Sequence, residues 1–384
     1  MTPSQRFPIL AAVLWLLCIR MAWGQVGPAV VINELHTDPA VKTERVEFVE
    51  LHNCGDEAVD LSNWCFVSGI FYVCPEGATL GPRDYVVVVQ DRLHVLAKWN
   101  PRRSAYFEDR VFGPFAGKLA NEGERVVLCD AEGTIVDEVD YQLGFPWPTV
   151  GDPLPGDLSE TGASMQLIDS ALDNDLAGSW RSASPTPAAE NKDVLTDNAP
   201  PHIRQVRHTP KQPGSGEVVT ITAKITDSDG VGPVTLQYQL VDPGRYIRYQ
   251  YSDGNNQRFV DGEYNTNWVD VPMVDDGTAG DERAGDGVYT ARMSGDLQTH
   301  RRLVRYRITA RDARGAFVRV PYDDDPQPNF AYFCYDEVPA WSGAIRPGSS
   351  NAAQAQVVTY QAEVMQSLPV YHLLAKHEDI EDCQ

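Results

Sequence analysis

The feature that most constrains this chain is a run of short strands, each alternating apolar and polar residues, with turn residues between them. In the second half, "VVTITAKITD" sets Val219, Ile221, Ala223 and Ile225 on one side and Thr220, Thr222, Lys224 and Thr226 on the other. Residues two apart share a face of a strand, so this spacing predicts a half-buried β-strand. Five Asp-Gly steps punctuate the same half, at Asp229-Gly230, Asp253-Gly254, Asp261-Gly262, Asp276-Gly277 and Asp286-Gly287. Asp-Gly between alternating runs signals a tight hairpin, because glycine enters positive φ without a steric penalty. The first half reads the same way, through "AVVINELH", "RVEFVELHN", "CFVSGIFYVC", "DYVVVVQ", "ERVVLCDA" and "TIVDEVDY". Such a series predicts an antiparallel sandwich or barrel. "YVVVVQ" is apolar on both faces and belongs in the middle of a sheet, whereas the acids of "RVEFVELHN" predict one face open to water. Helical periodicity is rare; "DRLHVLAKW" is the best helix candidate, with Asp91 as its cap and Leu93, Leu96 and Ala97 as its apolar stripe.

Between the halves, Ser182 to Pro201 is rich in Pro, Ala, Ser and Asn and reads as a linker. At the N-terminus, Arg6, the 11-residue apolar run Ile9–Ile19 and the small residues of "AWG" form a secretory signal pattern ending at Gly24. That run is shorter than the ~20 residues a bilayer span needs, and no later segment supplies a span. The expectation is a protein secreted, or held at the cell surface or in the periplasm, after cleavage. The 54 Asp and Glu against 32 Lys and Arg leave a formal charge of −22. This field repels phosphate backbones, which excludes a nucleic-acid partner and makes cations the natural counter-species.

Seven cysteines are present; Cys18 lies in the apolar run, which leaves Cys54, Cys65, Cys74, Cys129, Cys334 and Cys383. Three pairings are open to the four between Cys54 and Cys129. Cys65 and Cys74 flank "FVSGIFYV", where a turn at Ser68-Gly69 places them on paired strands, so this pair is the candidate disulfide.

One stretch carries candidate chemistry. "MVDDGTAGDERAGDGVYTARM" holds Asp275, Asp276, Asp281 and Asp286 among four glycines. It fails the EF-hand pattern, because Gly277 comes too early and Ala279 and Arg283 stand where oxygens are required. Two readings stay open: an irregular calcium loop built on the four aspartates, or two turns whose Asp side chains bind nearby amides. The paired tripeptides Glu34-Leu35-His36 and Glu50-Leu51-His52 would gather zinc ligands only in a strand register that the sequence does not set. Their histidines are expected at an edge or on the surface. The eight histidines are scattered, and no GxSxG, HExxH, P-loop or dinucleotide-binding pattern occurs, so no catalytic residue is assigned. The aromatics of "NFAYFCYDEVPAW" are expected to pack a linker.

The first domain resembles the lamin tail domain family. The resemblance rests on "VVINELHTDP", "EFVELHNCGDEAVDLSNWCF", "ATLGPRDYVVVVQD", "LANEGERVVLCDAEGTIVDEVDY" and "SWRSASPTPAAEN". It implies an immunoglobulin-like β-sandwich acting as an interaction domain without catalytic residues. The cysteines and "FEDRVFGPFAGK" depart from the family pattern. "YQLVDPGRYIR", the acidic stretch and "PQPNFAYFCYDEVPAWSGAIRPG" resemble the region that precedes the kinase-like domain in bacterial spore-coat proteins of the CotH family. "SLPVYHLLAKHEDIED" is similar to the first strand and turn of that domain, so the resemblance implies a truncated copy.

The expected architecture is therefore all-β. It comprises a signal peptide over 1–24, a lamin-tail sandwich over 28–192, a linker over 193–201 and a second immunoglobulin-like sandwich over 202–322. An aromatic linker over 323–366 and the start of a truncated kinase-like domain over 367–384 complete it. The expected role is a non-enzymatic surface, adhesion or scaffolding module that meets a surface protein or polysaccharide. The alternatives are an accessory part that contacts a separately encoded CotH-type domain, and a calcium-dependent surface binder.

Overall fold

The computed structural model describes residues 30–151, 162–252 and 258–381, apart from 324, 345, 347, 349 and 368. The signal pattern, Cys383 and the Asp253-Gly254 step lie outside the described residues. The chain is all-β, with open sheets packed face to face and no barrel.

The first sandwich begins with β1 (Val30–His36) and β2 (Phe48–Asn53), followed by the hairpin β3 (Cys65–Ser68) and β4 (Ile70–Val73). Gly69 turns that hairpin at φ 77°, as the Ser68-Gly69 step predicts. Then come β5 (Tyr85–Val89), α1 (Arg92–Trp99), β6 (Val111–Phe112), β7 (Ala116–Gly117), β8 (Gly123–Cys129), β9 (Ile135–Gln142), β10 (Ser164–Leu167) and β11 (Trp180–Ala183). One sheet runs β11-β10-β1-β2-β5-β6 and the facing one β9-β8-β3-β4-β7. Ile32, Leu51, Phe66, Val88, Leu128, Tyr141 and Trp180 meet between them. Each such side chain contributes about 1.5–3 kcal/mol on burial. The stretch around Phe115 passes from one sheet to the other: β6 pairs with β5, β7 pairs with β4, and Phe115 is buried between the layers.

β5 is apolar on both faces because both faces are covered. Val86 and Val88 enter the intersheet core, while Val87 and Val89 join Val46, Phe48, Val95, Val111 and Ala188 in a second cluster under α1. That second layer corrects two expectations. β2 has no wet face; all six of its residues are buried. In α1, Asp91 caps as expected by accepting from the Leu93 and His94 amides, but Val95 is the residue that packs inward and Leu93 stays 79% exposed.

The acids of β1 and β2 explain how β2 is covered. A bulge after Ile32 sets Glu34 directly opposite Glu50, both fully buried. Glu34 accepts from the Ser164 hydroxyl, from Gln166 Nε2 at 3.2 Å, and from the Thr186 amide and hydroxyl, each at 3.0 Å. Glu50 accepts from Asn33 Nδ2 at 2.8 Å and the Ala188 amide at 2.7 Å. Asn191 Nδ2 donates to the carbonyls of Asn33 and Leu167, both at 3.0 Å. The segment around residues 184–191 is thereby tied across the sheet as its outer cover. At the bulge, the Ile32 amide and Asn174 Nδ2 both donate to Asp137 Oδ2, at 2.6 and 2.7 Å. Burial raises the Glu34 carboxyl to about 7. It raises Glu50 further, with the Glu34 charge adding to the effect. The imidazoles are not at the surface: His36 is enclosed, with ring centroids 5.3 Å from Phe48 and 5.9 Å from Trp99, and His52 stacks on Tyr85 at 4.3 Å. Since His36 faces Phe48 and His52 faces Val31 across the ladder, the register separates them, and no ELH ligand set assembles.

The second sandwich comprises β12 (His202–Thr209), β13 (Val219–Thr226), β14 (Val231–Val241), β15 (Val269–Pro272), β16 (Val288–Met293), β17 (Leu303–Asp312), β18 (Phe317–Val320) and β19 (Phe330–Phe333). A three-stranded sheet β12-β13-β16 faces a sheet ordered β15-β14-β17, whose far edge is shared by β18 and β19. β13 alternates as its sequence predicts, with Val219, Ile221, Ala223 and Ile225 in the core. The aromatics of "NFAYF" differ from expectation. They form β19 on residues 303–306 of β17, bury Tyr332 in the core, and carry this sandwich past the expected end at 322. Phe145 of the first unit meets Phe330 at 5.1 Å, and Arg181 lies over the Tyr322 ring at 4.7 Å, so the two units touch. In the final segment, residues 370–375 form no strand, contrary to the opening strand expected there. Among the described residues, no helix is long and apolar enough to cross a membrane.

Candidate cation sites and interaction face

The acidic stretch folds as an excursion between β15 and β16, closed at its base by mutual backbone bonds of Val274 and Thr290. Gly277 and Gly287 sit at φ 75° and 78°, which is the geometry the two Asp-Gly turns require. The structure brings three of the four candidate aspartates together. One carboxylate oxygen from each of Asp275, Asp281 and Asp286 lies within 4.8 Å of the others. Asp276 points elsewhere, accepting from the Thr278 amide at 2.9 Å and its hydroxyl at 2.6 Å. The three gathered carboxylates also hold the turns. Asp275 accepts the Asp286 and Gly287 amides at 3.1 and 2.8 Å, Asp281 the Gly277 amide at 2.7 Å, and Asp286 the Val288 amide at 2.9 Å. A carboxylate so engaged keeps spare lone pairs, and calcium takes such oxygens at about 2.3–2.6 Å. The loop therefore serves both readings.

A second acidic group was not anticipated. Asp227 and Asp229, in the turn after β13, meet Asp312 at the end of β17, again with one oxygen of each within 4.8 Å. Burial, helped by the Asp312 and Asp229 charges, raises the Asp227 carboxyl. Arg314 answers part of this charge by pairing with Asp229 at 3.2 Å. Asp312 accepts the Gly315 and Ala316 amides, and its carboxyl is lowered: these bonds and the Asn198 side chain outweigh its desolvation. The local signal is the Asp-x-Asp of "ITDSDG", but its third member lies more than eighty residues on, beyond the reach of spacing.

Cys54, Cys65, Cys74, Cys129 and Cys334 are free thiols in the structure. For the expected Cys65–Cys74 pair, the hairpin register puts Cys65 opposite Val73, and Cys74 follows on the alternate face, inside the core.

The outer face of the β9-β8-β3-β4-β7 sheet carries several exposed apolar side chains. Phe71 and Val73 on β4 are 60% and 61% exposed, Val67 on β3 is 47% exposed and Ile135 on β9 is 51% exposed. Ile135, Cys129, Cys65 and Val73 stand in one row across four strands.

Residues 25–142 match the family model of the lamin tail domain. The match spans β1 to β9; β10, β11 and the cover over residues 184–191 complete the same sandwich beyond it. No curated protein matches the chain. Nothing in these comparisons supports the resemblance of the second half to CotH-type proteins. An immunoglobulin-like, all-β unit of this kind is compatible with a non-catalytic module.

Proposed function

We propose that this chain is an exported, non-catalytic interaction module whose lamin-tail unit docks a protein partner at the cell surface. The observation that carries the reading is the set of exposed apolar side chains on one sheet face, Val67, Phe71, Val73 and Ile135. Large apolar side chains gathered on one exposed sheet face mark a surface where a partner binds. An aromatic such as Phe71 supplies the buried anchor that dominates most protein interfaces. The excess of acids elsewhere keeps the unit soluble and leaves this face as the place where water is readily displaced. The test compares the full chain with its Phe71→Asp and Val73→Asp variants for retention on intact cells of the source. At least a tenfold loss of retention, with unchanged thermal melting, is expected. Equal retention would sink the reading.

A second reading, calcium-dependent stiffening of the second sandwich, is favoured by the convergence of Asp275, Asp281 and Asp286. Calcium there would tie the loop to the base of β16. Melting temperature measured with millimolar calcium against chelator should rise for the full chain and not for Asp281→Asn. No calcium shift in the unaltered chain removes this reading.

A further inference from the structure

We propose that Cys65 and Cys129 form a cross-strand disulfide that locks β3 to β8 on the outer face of the first sandwich. The two residues are direct partners in the antiparallel ladder. Directly opposed residues in such a ladder have Cα atoms about 4.5–5.5 Å apart and side chains on the same face. This separation falls inside the range of about 4.4–6.8 Å that disulfides require. The burial pattern agrees about the face. Phe66 and Leu128, each one position away, point into the core, while Val73 and Ile135, the outer neighbours in the same row, are exposed.

No other pair among the described cysteines has this relation. Cys74 packs in the core with Phe66 and Leu80. Cys54 lies one residue past the end of β2, and Cys334 belongs to the second sandwich, where its amide bonds the Arg302 carbonyl at 2.9 Å.

The oxidant this site takes is a small-molecule disulfide or the exposed disulfide of an oxidoreductase. Cys65 is the more accessible thiol, and burial pushes the Cys129 thiol up, so Cys65 attacks first. Its thiolate displaces one thiol from the oxidant and forms a mixed disulfide. The Cys129 thiolate then attacks the Cys65 sulfur and expels the second thiol. Two protein thiols are oxidised, one disulfide is reduced to two thiols, and the two protons leave with them. The bond closes a long loop of chain, the case in which a cross-link restricts the unfolded ensemble most.

The experiment oxidises the purified full chain with glutathione disulfide, alkylates the remaining thiols and digests without reductant. The expected product is a peptide pair joined through Cys65 and Cys129, two hydrogens lighter than its parts and separated by reductant. Its yield should be unaffected in Cys74→Ser and abolished in Cys65→Ser, where Cys129 becomes alkylated. The oxidised chain should also melt at higher temperature than the reduced one. Recovery of Cys65 as an alkylated thiol after oxidation, or joined to Cys54 or Cys74, would overturn the proposal. This outcome is read on the unaltered chain and does not depend on any variant folding.

Discussion

The two sandwiches put the same residue type to opposite uses. The first takes carboxyls inside: Glu34, Glu47, Glu50 and Asp137 are buried and accept hydrogen bonds from residues up to 152 positions away. The second keeps most of its covered and gathered aspartates in turns or at strand ends. Its covered pair, Asp281 and Asp312, accepts backbone amides three or four residues away. What the second sandwich buries at strand level is a cation, Arg305, facing Gln239 Oε1 at 3.3 Å and the rings of Tyr246 and Tyr264 at 5.3 and 5.6 Å. The difference tracks topology. The first unit must fasten a cover that arrives late in the sequence, and a strand carboxylate offers several acceptor sites for its amides. In the second unit the covered aspartates sit in or beside turns, where Asp serves the local backbone.

The largest test of this contrast is removal of a buried carboxyl. Glu50→Ala leaves Asn33 Nδ2 and the Ala188 amide without their acceptor inside the protein. A cost of about 3 kcal/mol is expected, from lost bonds and a cavity together. Glu50→Gln keeps an acceptor oxygen and suits a site where burial already favours the neutral form, so its cost should be less than half as large. Hydrogen exchange of β1 and β13 amides separates the two units. Faster exchange is expected in β1 and little change in β13. Equal effects on both strands would show that the units share one stability and that the contrast has no energetic meaning.

Much of the β architecture was legible because it depends on neighbours in sequence. The alternation of β13, the turn at Gly69 and the positive φ at Gly230, Gly277 and Gly287 all follow from local residue types. What was illegible depends on distant chain. The two ELH tripeptides were visible, but the bulge after Ile32 that opposes Glu34 to Glu50 was not. Nor was the cover from Thr186 to Asn191 that closes over the outer face of β2. "NFAYF" read as a linker because its aromatics sit beside acids and prolines, yet its period of two suits the free edge of β17. Three of the four candidate cation ligands do meet, while Asp276 is drawn off by Thr278, a contact two residues away that many Asp side chains make. The pairing of Cys65 with Cys129 required the ladder between β3 and β8, which no spacing reveals.

A smaller effect, greater in the first unit than in the second, comes from pH. Burial holds Glu34 and Glu47 at about 7 against an ordinary 4.5, and Asp137 at about 6 against 3.8. For each, the folded state binds the proton more tightly than the unfolded chain does. The stability this gives is complete below the ordinary value and is lost as pH rises through the folded one. His36 works the other way: burial lowers it to about 3 from 6.5, so its share is present above 6.5 and lost as pH falls. The raised carboxyls outnumber it, and a net loss of stability is expected in the first sandwich as pH climbs from 4.5 to 7. In the second sandwich, Asp227 is raised but Asp312 is lowered, and the Asp312 contribution persists across this interval and disappears only below the ordinary 3.8, so the two partly offset. Urea unfolding followed by exchange in β1 and β13 should therefore show β1 opening more readily toward neutral pH while β13 holds. Glu34→Gln should reduce the slope in β1. A β1 stability that increased with pH over this range would mean that its carboxyls ionise in place, and that the buried acids of the first unit and the turn acids of the second are electrostatically alike.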